Sequence, residues 1–438
     1  MAIIVGFASP LFAAPEDFPR PEGLRTQIEF WKKVFTEYSE NQVVIHDALY
    51  LDKIYSTVDV EPLAASGADD FTLWKTRKLR EKAEKERIDR ILRKLRTLRS
   101  APGSLSSEER VIWELFRDVN ESDKFARARE RVRGQQGLRE RFRRGLEVSS
   151  RYLPHMEEIF RREGLPVELT RLPYVESSFN LKAYSKVGAA GIWQFIPSSG
   201  RIYLRMDEAM DDRRDPLYAT VGAARHLKDD YAVLGKWPLA VTAYNHGRTG
   251  VARAVKAVGS HDLVTIIRRY KGKAFRFASR NFYAEFLAAL EVEKNAAKHF
   301  GKLAFEPKLK FDEAVSRDFI TFSSLARVAG CSVAELAELN PAFGSEVLDG
   351  KLYVPKGYRL RIPSGRGAAF EVAYEKLPAN QRFASQRRYF VQHRVTRGQT
   401  LGVIAKRYRT TVTAIQVANN LRDAKRLRIG QMLKIPSG

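Results

Sequence analysis

Hydrophobic residues recur every three or four positions through much of the chain, which predicts a mainly helical protein. In residues 75–99 this spacing is combined with a dense run of lysine and arginine. The pattern predicts an amphipathic helix that packs through its apolar face and leaves its charged face in solvent. Docking of that charged face onto an anionic polymer is the alternative. The apolar positions are Leu79, Ile88, Ile91, Leu92, Leu95 and Leu98.

Residues 151–300 carry clear helix boundaries. Asp215 and Pro216 are typical of an N-cap and a first helical position. Gly235 is placed where a helix would end with a C-cap. Strand signals are nearly missing from this segment, so we expect it to be all-α.

The pattern changes after residue 300, where residues 319–365 and 389–438 look like copies of one unit. Both end on Ile-Pro-Ser-Gly, and each predicts a strand, two short helices and a strand. Residues 366–388 between them are rich in Gln, Arg and Ala and predict a linker.

The composition adds charge to this picture. The chain has 438 residues, 44% of them hydrophobic, and a formal net charge of +24. Its length predicts several domains. Its charge predicts an acidic partner: nucleic acid, an anionic membrane surface or an anionic cell-wall polymer.

The cysteine content and the apolar runs bear on disulfide bonds, membrane spans and export. Cys331 is the single cysteine, which excludes an intrachain disulfide, and we expect it to be a small core residue. The sequence has no apolar run of about 18 residues that would predict a transmembrane helix. Residues 1–14 are almost entirely apolar and look like the remnant of a secretory signal, which predicts export.

The candidate for catalysis is Glu176, which follows apolar helical positions at Leu169, Leu172 and Val175. Pro173 should bend that helix just before the glutamate. A carboxyl group beside an apolar face is desolvated, which raises its pKa. A glutamic acid that keeps its proton is what a glycosidic oxygen needs as a proton donor. In isolation, however, such a glutamate is more often a helix-end or ion-paired residue.

The motifs around Glu176 favour a catalytic role over a structural one. They follow one another in the order Glu-Ser-Ser-Phe (176–179), Ser185, Gly-Ala-Ala-Gly-Ile-Trp-Gln-Phe (188–195) and Ala-Tyr-Asn (243–245). This order resembles the lytic transglycosylases with a goose-lysozyme-like SLT catalytic domain, and most of all their membrane-bound D type. The resemblance covers about residues 145–295 and extends to residues 30–47.

The resemblance implies a reaction with one catalytic residue. Glu176 would protonate the bond between N-acetylmuramic acid and N-acetylglucosamine, and then take a proton from the muramoyl 6-hydroxyl. The product would be a 1,6-anhydromuramoyl end. The substrate's N-acetyl group would stabilise the positive charge, so the resemblance implies no second carboxylate, cofactor or metal.

Substrate-binding residues are also implied by the resemblance. Ser185 would position the acetamido group and Gln194 would line the sugar groove. Tyr244 and Asn245 would form hydrogen bonds around the glutamate and the sugar.

Three features depart from the family pattern, and the first is Ile192-Trp193 in place of Leu-Met, a change seen in the D type. His246 stands where alanine is usual, and we expect it to face solvent; the alternative is that its titratable ring beside Asn245 alters substrate choice. Phe282 occupies the position of a family tyrosine, and Tyr283 comes one residue late, about 100° away on a helix. Tyr283 is kept as a further candidate for substrate binding.

Three other carboxylates lie close together in the chain and are alternative candidates for catalysis. Asp211, Asp212 and Asp215 lie in a predicted turn beside two arginines. A second catalytic carboxylate among them would make the protein a hydrolase, but Asp215 is expected to be a helix cap.

Residues 389–436 resemble a LysM domain, which implies a βααβ fold and binding of glycans that contain N-acetylglucosamine. The glycan-binding residues implied are Gly398, Gln399, Thr400 and Leu401. Gln399 stands where aspartate is usual. Residues 319–365 look like a degenerate copy, for which packing is expected more than glycan binding.

The sequence therefore predicts a mainly α protein with a lysozyme-like all-α catalytic domain and small α+β (βααβ) LysM modules. We expect a monomer in the periplasm or exported to the cell envelope, acting on peptidoglycan glycan strands. No nucleic-acid motif accompanies the charge, so no nucleic-acid partner is expected. A hydrolysing muramidase and an inactive peptidoglycan-binding protein are the alternative functions.

The predicted order of domains is a signal-peptide remnant (1–14), a helical N-terminal region (15–144), the SLT catalytic domain (145–300), a degenerate LysM-like module (319–365), a linker (366–388) and a LysM domain (389–438).

Overall fold

The computed structural model describes residues 17–97, 103, 105–387, 390–421, 423–424 and 427–436. The signal remnant predicted for residues 1–14 lies outside the described residues. The chain divides into two compact units, Met1–Tyr203 with Pro216–Leu309, and Leu204–Asp215 with Lys310–Gly438. Within the described ranges, no helix is both long and apolar enough to span a membrane.

The first part of unit 1 combines helices with a small antiparallel sheet of strand order β2-β1-β3. Its strands are β1 (Gln42–Asp47), β2 (Ile54–Asp59) and β3 (Val132–Gln136). The sequence predicted a helical region here, and the presence of a sheet corrects that prediction. The helices are α1 (Arg25–Thr36), α2 (Glu61–Ala65), α3 (Asp70–Thr97), α4 (Ser107–Leu115) and α5 (Lys124–Arg131).

Helix α3 confirms the predicted amphipathic helix. The apolar residues from Ile88 to Leu95 are buried in a core that they share with Val43 and Ile45 of β1. Leu79 is the exception, with 61% of its surface exposed, and Leu98 lies outside the described residues. The sheet is therefore covered by the apolar face of α3.

The rest of unit 1 is built from helices, which confirms the all-α expectation. Helix α9 begins at Pro216, as predicted, and Gly235 follows its last residue with a φ of +69°. The helices are α6 (Arg139–Arg162), α7 (Leu172–Glu176), α8 (Pro197–Tyr203), α9 (Pro216–Leu234), α10 (Trp237–His246), α11 (Arg248–Val258), α12 (Leu263–Arg269), α13 (Phe277–Lys294) and α14 (Ala296–Phe300). Helix α13 packs against α1, α7 and α10.

In unit 2, the segment predicted to be a degenerate LysM-like module contains two strands that pair antiparallel. Its first strand starts at Phe311, before the predicted boundary at residue 319. Cys331 lies in the turn between two helices and is partly exposed, so it is not the core residue we expected. The elements are β4 (Phe311–Val315), α15 (Phe322–Ala329), α16 (Val333–Leu339), α17 (Ser345–Leu348) and β5 (Arg359–Pro363).

The segment expected to be a linker is largely folded. Helix α18 (Gly367–Glu375) packs against α15 and β4. Phe370 and Tyr374 lie four residues apart and therefore share one face of the helix. Both side chains are fully buried. A 3₁₀ helix, Ala379–Gln381, follows.

The C-terminal module has the predicted βααβ order. Its elements are β6 (Phe390–Arg394), α19 (Leu401–Arg407), α20 (Val412–Ala418) and β7 (Met432–Pro436). Leu401, Ile404, Ile415 and Leu433 belong to a core of its own.

Candidate active site

Glu176 is the last residue of α7, a helix of one turn that follows the 3₁₀ helix Val167–Arg171. Pro173 lies in the first turn of α7, where its missing N–H costs no hydrogen bond. Ser178 and Phe179 then adopt left-handed backbone conformations, with φ of 51° and 54°. Such conformations are costly without glycine and persist only when the surroundings enforce them.

The surroundings of this turn are apolar and closely packed. Tyr174 lies 5.0 Å from Phe142 and 4.7 Å from Phe179, ring centroid to ring centroid. The Ser177 hydroxyl donates to the carbonyl of Ile192 at 2.8 Å, which ties the turn to the segment that carries Gln194.

Helix α6 supports the turn from its other side through Gly145. A Cβ atom at Gly145 would lie 2.7 Å from the carbonyl oxygen of Ser178, closer than real Cβ contacts. A residue without a side chain is therefore required where α6 passes the turn.

The carboxyl group of Glu176 has an unusual environment. Among the described residues, no hydrogen bond or ion pair is made to it, and its side chain is only partly exposed. Burial raises the pKa of Glu176 to about 8. Glu176 thus holds its proton at neutral pH and can donate it.

Ser185 and Gln194 line the same groove as Glu176, a cavity of about 800 Å³. The Ser185 hydroxyl oxygen accepts from the backbone N–H of Ala189 at 2.9 Å, which leaves its own proton available to a ligand. Gln194, at a φ of 49°, donates from Nε2 to the carbonyl of Gly191 at 2.8 Å. These three predicted residues are brought together.

Helix α10 brings Tyr244 to the same place. The Tyr244 hydroxyl donates to the carbonyl of Trp193 at 2.9 Å. Burial, and then the charge of Glu176, raise the pKa of Tyr244, so the two side chains interact electrostatically.

Asn245 and His246 follow at the end of α10. Asn245 is exposed, and its Oδ1 accepts from the Ser279 hydroxyl at 3.4 Å. The Nδ1 atom of His246 lies 2.9 Å from the same hydroxyl. His246 is therefore half-buried and anchored to α13, where we had expected it to face solvent.

Tyr283 is not brought into the groove. Its side chain is 1% exposed, and its hydroxyl donates to the carbonyl of Pro19 at 2.9 Å. The one-residue offset from Phe282 turns Tyr283 to another face of α13, so Tyr283 is left out of the site.

The sequence patterns did not predict a second carboxyl group, Glu285, near Glu176. Burial raises its pKa to about 8, and repulsion from Glu176 acts in the same direction. The signal that could have revealed it is spacing, because Glu285 lies three residues after Phe282 and so on the same face of the helix.

The three aspartates weighed from the sequence have structural partners within unit 2. Asp215 is fully buried and its carboxylate pairs with the guanidinium of Arg361. Asp211 pairs with Arg213 at 2.7 Å. Asp212 accepts from the backbone N–H of Arg205 at 3.1 Å.

In the LysM module, the predicted glycan-binding residues lie at the turn before α19 and on the first residue of that helix. Gly398 has a φ of +83°, and Gln399 accepts from the backbone N–H of Thr396 at 2.9 Å. Thr400 caps α19, and Leu401 is buried in the core. Glycan binding by this loop stays a prediction.

No group of three His, Cys, Asp or Glu side chains in the described part of the chain is placed to hold a metal ion.

Comparison with known sequences places two domains on the chain. The transglycosylase SLT domain matches residues 157–266, and the LysM domain matches residues 393–436. The membrane-bound lytic murein transglycosylase D of Escherichia coli (strain K12) is 30% identical over 318 residues, covering 67% of this chain and 65% of that protein. The chain thus matches slightly less than two thirds of that relative's length.

Two more distant similarities were found. A putative tributyltin chloride resistance protein of Alteromonas sp. (strain M-1) is 30% identical over 109 residues, covering 24% of this chain and 53% of that protein. A solved lytic transglycosylase Slt of Pseudomonas aeruginosa is 18% identical and covers 36% of this chain and 25% of that chain. Its TM-score of 0.29 is too low to carry an argument.

Proposed function

We propose that this chain, which carries an SLT domain and a LysM domain, is a peptidoglycan lytic transglycosylase of the cell envelope. The observation that carries the proposal is Glu176, which has no hydrogen-bond or ion-pair partner in the described part of the chain and keeps its proton at neutral pH beside Ser185 and Gln194. A neutral acid in a groove lined by polar side chains is the minimal apparatus for protonating a glycosidic oxygen.

The proposed reaction uses one carboxyl group twice, first as an acid and then as a base. Glu176 donates its proton to the oxygen between N-acetylmuramic acid and N-acetylglucosamine, and the bond from the muramoyl C1 to that oxygen breaks. The substrate's acetamido group, positioned by Ser185, stabilises the positive charge at C1. The Glu176 carboxylate then accepts the proton of the 6-hydroxyl as its oxygen bonds to C1, so no water is consumed and a 1,6-anhydromuramoyl end forms.

The C-terminal module would hold the enzyme on its substrate. A tethered glycan binder raises the effective concentration of strands at the groove, even when its own affinity is weak. The basic charge of the chain favours the same anionic wall. We place the protein in the periplasm or on the exported side of the envelope.

The first test compares wild type with Glu176→Gln on purified sacculi, with the products analysed by mass spectrometry. We expect anhydro-muropeptides, lighter by one water than hydrolysed ones, from the wild type alone, because Gln cannot donate the proton. Equal activity of the two proteins would remove Glu176 from its proposed role.

A hydrolysing muramidase is the second candidate, and Glu285 is the observation that favours it. A second carboxyl group that interacts with Glu176 could activate water in place of the 6-hydroxyl once it is ionised, above its pKa of about 8. Products with free reducing ends would support hydrolysis and exclude the transglycosylase reaction.

A further inference from the structure

Helix α6 forms one wall of the proposed catalytic groove. Gly145 marks a point of close approach, because a Cβ atom there would lie 2.7 Å from the carbonyl oxygen of Ser178. Arg141, Arg144 and Val148 follow one another at spacings of three and four residues, so they share one face of the helix. All three line the groove, which makes the wall supplied by α6 basic at two positions.

The two arginines differ in their partners. Arg141 pairs through Nε with the carboxylate of Glu40 at 3.2 Å. Glu140 also lines the groove, and its carboxylate accepts from the backbone N–H of Glu40 at 2.8 Å. Arg144 is exposed, and its guanidinium has no hydrogen-bond or ion-pair partner within the ranges that the structure describes. Its N–H donors therefore face the groove without an acceptor from those ranges.

A second cation lines the groove from the segment that follows the proposed acid. Lys182 is exposed, and its backbone N–H donates to the side chain of Asn180 at 3.0 Å. Its ammonium group has no acidic partner among the described residues. The pKa of Glu176 is raised by burial, and no cation lowers it, so Arg144 and Lys182 lie away from the acid. They are placed to bind a group that the substrate carries beside the bond to be cut.

The muramoyl residue of peptidoglycan carries such a group. Its 3-oxygen bears a lactyl ether, which ends in a carboxylate or continues into a peptide that has carboxylates of its own. A guanidinium binds a carboxylate through two N–H donors in one plane, and an ammonium group adds a mobile point charge.

We propose that Arg144 and Lys182 form a carboxylate-binding subsite of the groove, which favours glycan strands whose muramoyl residues carry an anionic side chain. This inference rests on the proposed function and names the substrate class of the same site. The subsite contributes to binding, and the chemical step is left to Glu176.

The test measures kcat and KM of the full chain on three sets of soluble strands of matched length. The first set carries peptide stems, the second is stripped to its lactyl groups by an amidase, and the third carries stems whose carboxylates have been amidated. Turnover is followed because the LysM module is expected to bind strands without cutting them.

Arg144→Gln should raise KM on stem-bearing strands by about three- to tenfold, the loss expected for one charge-assisted contact in an open groove. The value of kcat should not change, because the contact is made equally before and during the reaction. On amidated strands KM should equal that of the wild type. A rise that persists on stripped strands assigns the contact to the lactyl carboxylate, and a rise that is lost there assigns it to the peptide.

Arg143→Gln is the matched control. Arg143 is the neighbouring residue of α6, does not line the groove and pairs with Glu147 at 3.5 Å, so its replacement should leave KM unchanged on every substrate. Lys182→Gln should raise KM on the same substrates as Arg144→Gln. If Arg144→Gln does not fold, as judged by circular dichroism, Lys182→Gln decides by the same criteria.

Equal KM values of wild type and Arg144→Gln on stem-bearing and stripped strands would overturn the inference. A rise of the same size on amidated strands would also overturn it, since the effect would then come from the fold of α6 and not from charge. A wild type that releases no 1,6-anhydromuramoyl ends would contradict the proposed function itself. A wild type that releases them, with Arg144→Gln unchanged, would contradict the subsite alone.

Discussion

At the scale of single residues, Glu176 keeps a proton that a glutamate in the unfolded chain releases. Its pKa is 4.5 in the reference state and about 8 in the folded protein. Between these values the folded state binds one proton more, so stability falls as pH rises through this window. We expect Glu176→Gln to be more stable than wild type above pH 8, on the order of 1–2 kcal/mol, since partial exposure reduces the full linkage value.

Thermal melts of both proteins across this pH range check the prediction. The two melting temperatures should agree near pH 4, where both states are protonated, and diverge as pH rises. A constant difference at every pH would mean that the substitution acts through packing and not through the proton.

The sequence motifs predicted Glu176, Ser185 and Gln194 together, because a motif reports residues whose backbone is held in one local arrangement. Glu285 and Tyr283 are residues whose positions the motifs did not predict. Which face of α13 meets α7 depends on packing between helices that are distant in sequence. A shift of one residue moved Tyr283 out of the site, and the burial of Glu285 became evident once α13 was seen to pack against α7.

At the scale of elements, the turn after α7 depends on close contact with α6. Gly145→Ala would place a Cβ atom 2.7 Å from the carbonyl oxygen of Ser178 and force the turn to move. We expect a loss of stability of about 1–3 kcal/mol and at least a tenfold loss of activity, because the turn carries Glu176.

Chemical denaturation and assays on sacculi measure these two effects. Gly402→Ala is the control, since a Cβ atom there would meet its nearest atom at an ordinary 3.8 Å and alanine favours a helix. A Gly145→Ala protein with normal activity would show that the turn does not need the close approach of α6.

Element prediction succeeded where the periodicity was long and failed where it was short. Helix α3 could be predicted because its apolar spacing persists over many turns. Strand β1 offers only Val43, Val44 and Ile45, a run that a helix could equally contain. Helix α18 was missed because only Phe370 and Tyr374 mark its buried face.

At the scale of the whole molecule, the LysM module is separable in its packing, since its core consists of its own residues. Removal of residues 388–438 should leave turnover of short soluble strands within about twofold of wild type. Activity on intact sacculi at low enzyme concentration should fall by about 10- to 100-fold, because the tether is lost. Parallel assays on the two substrates check this, and an equal loss on both would argue against tethering.

The module before the LysM domain takes part in a buried ion pair that stabilises its fold. Asp215 stands in the segment between α8 and α9, and its partner Arg361 stands on β5. Replacement of either residue alone would break a buried ion pair, at a cost of about 3–5 kcal/mol. The two positions are therefore expected to change together, and the strand that carries the arginine would be retained even if this module bound no glycan.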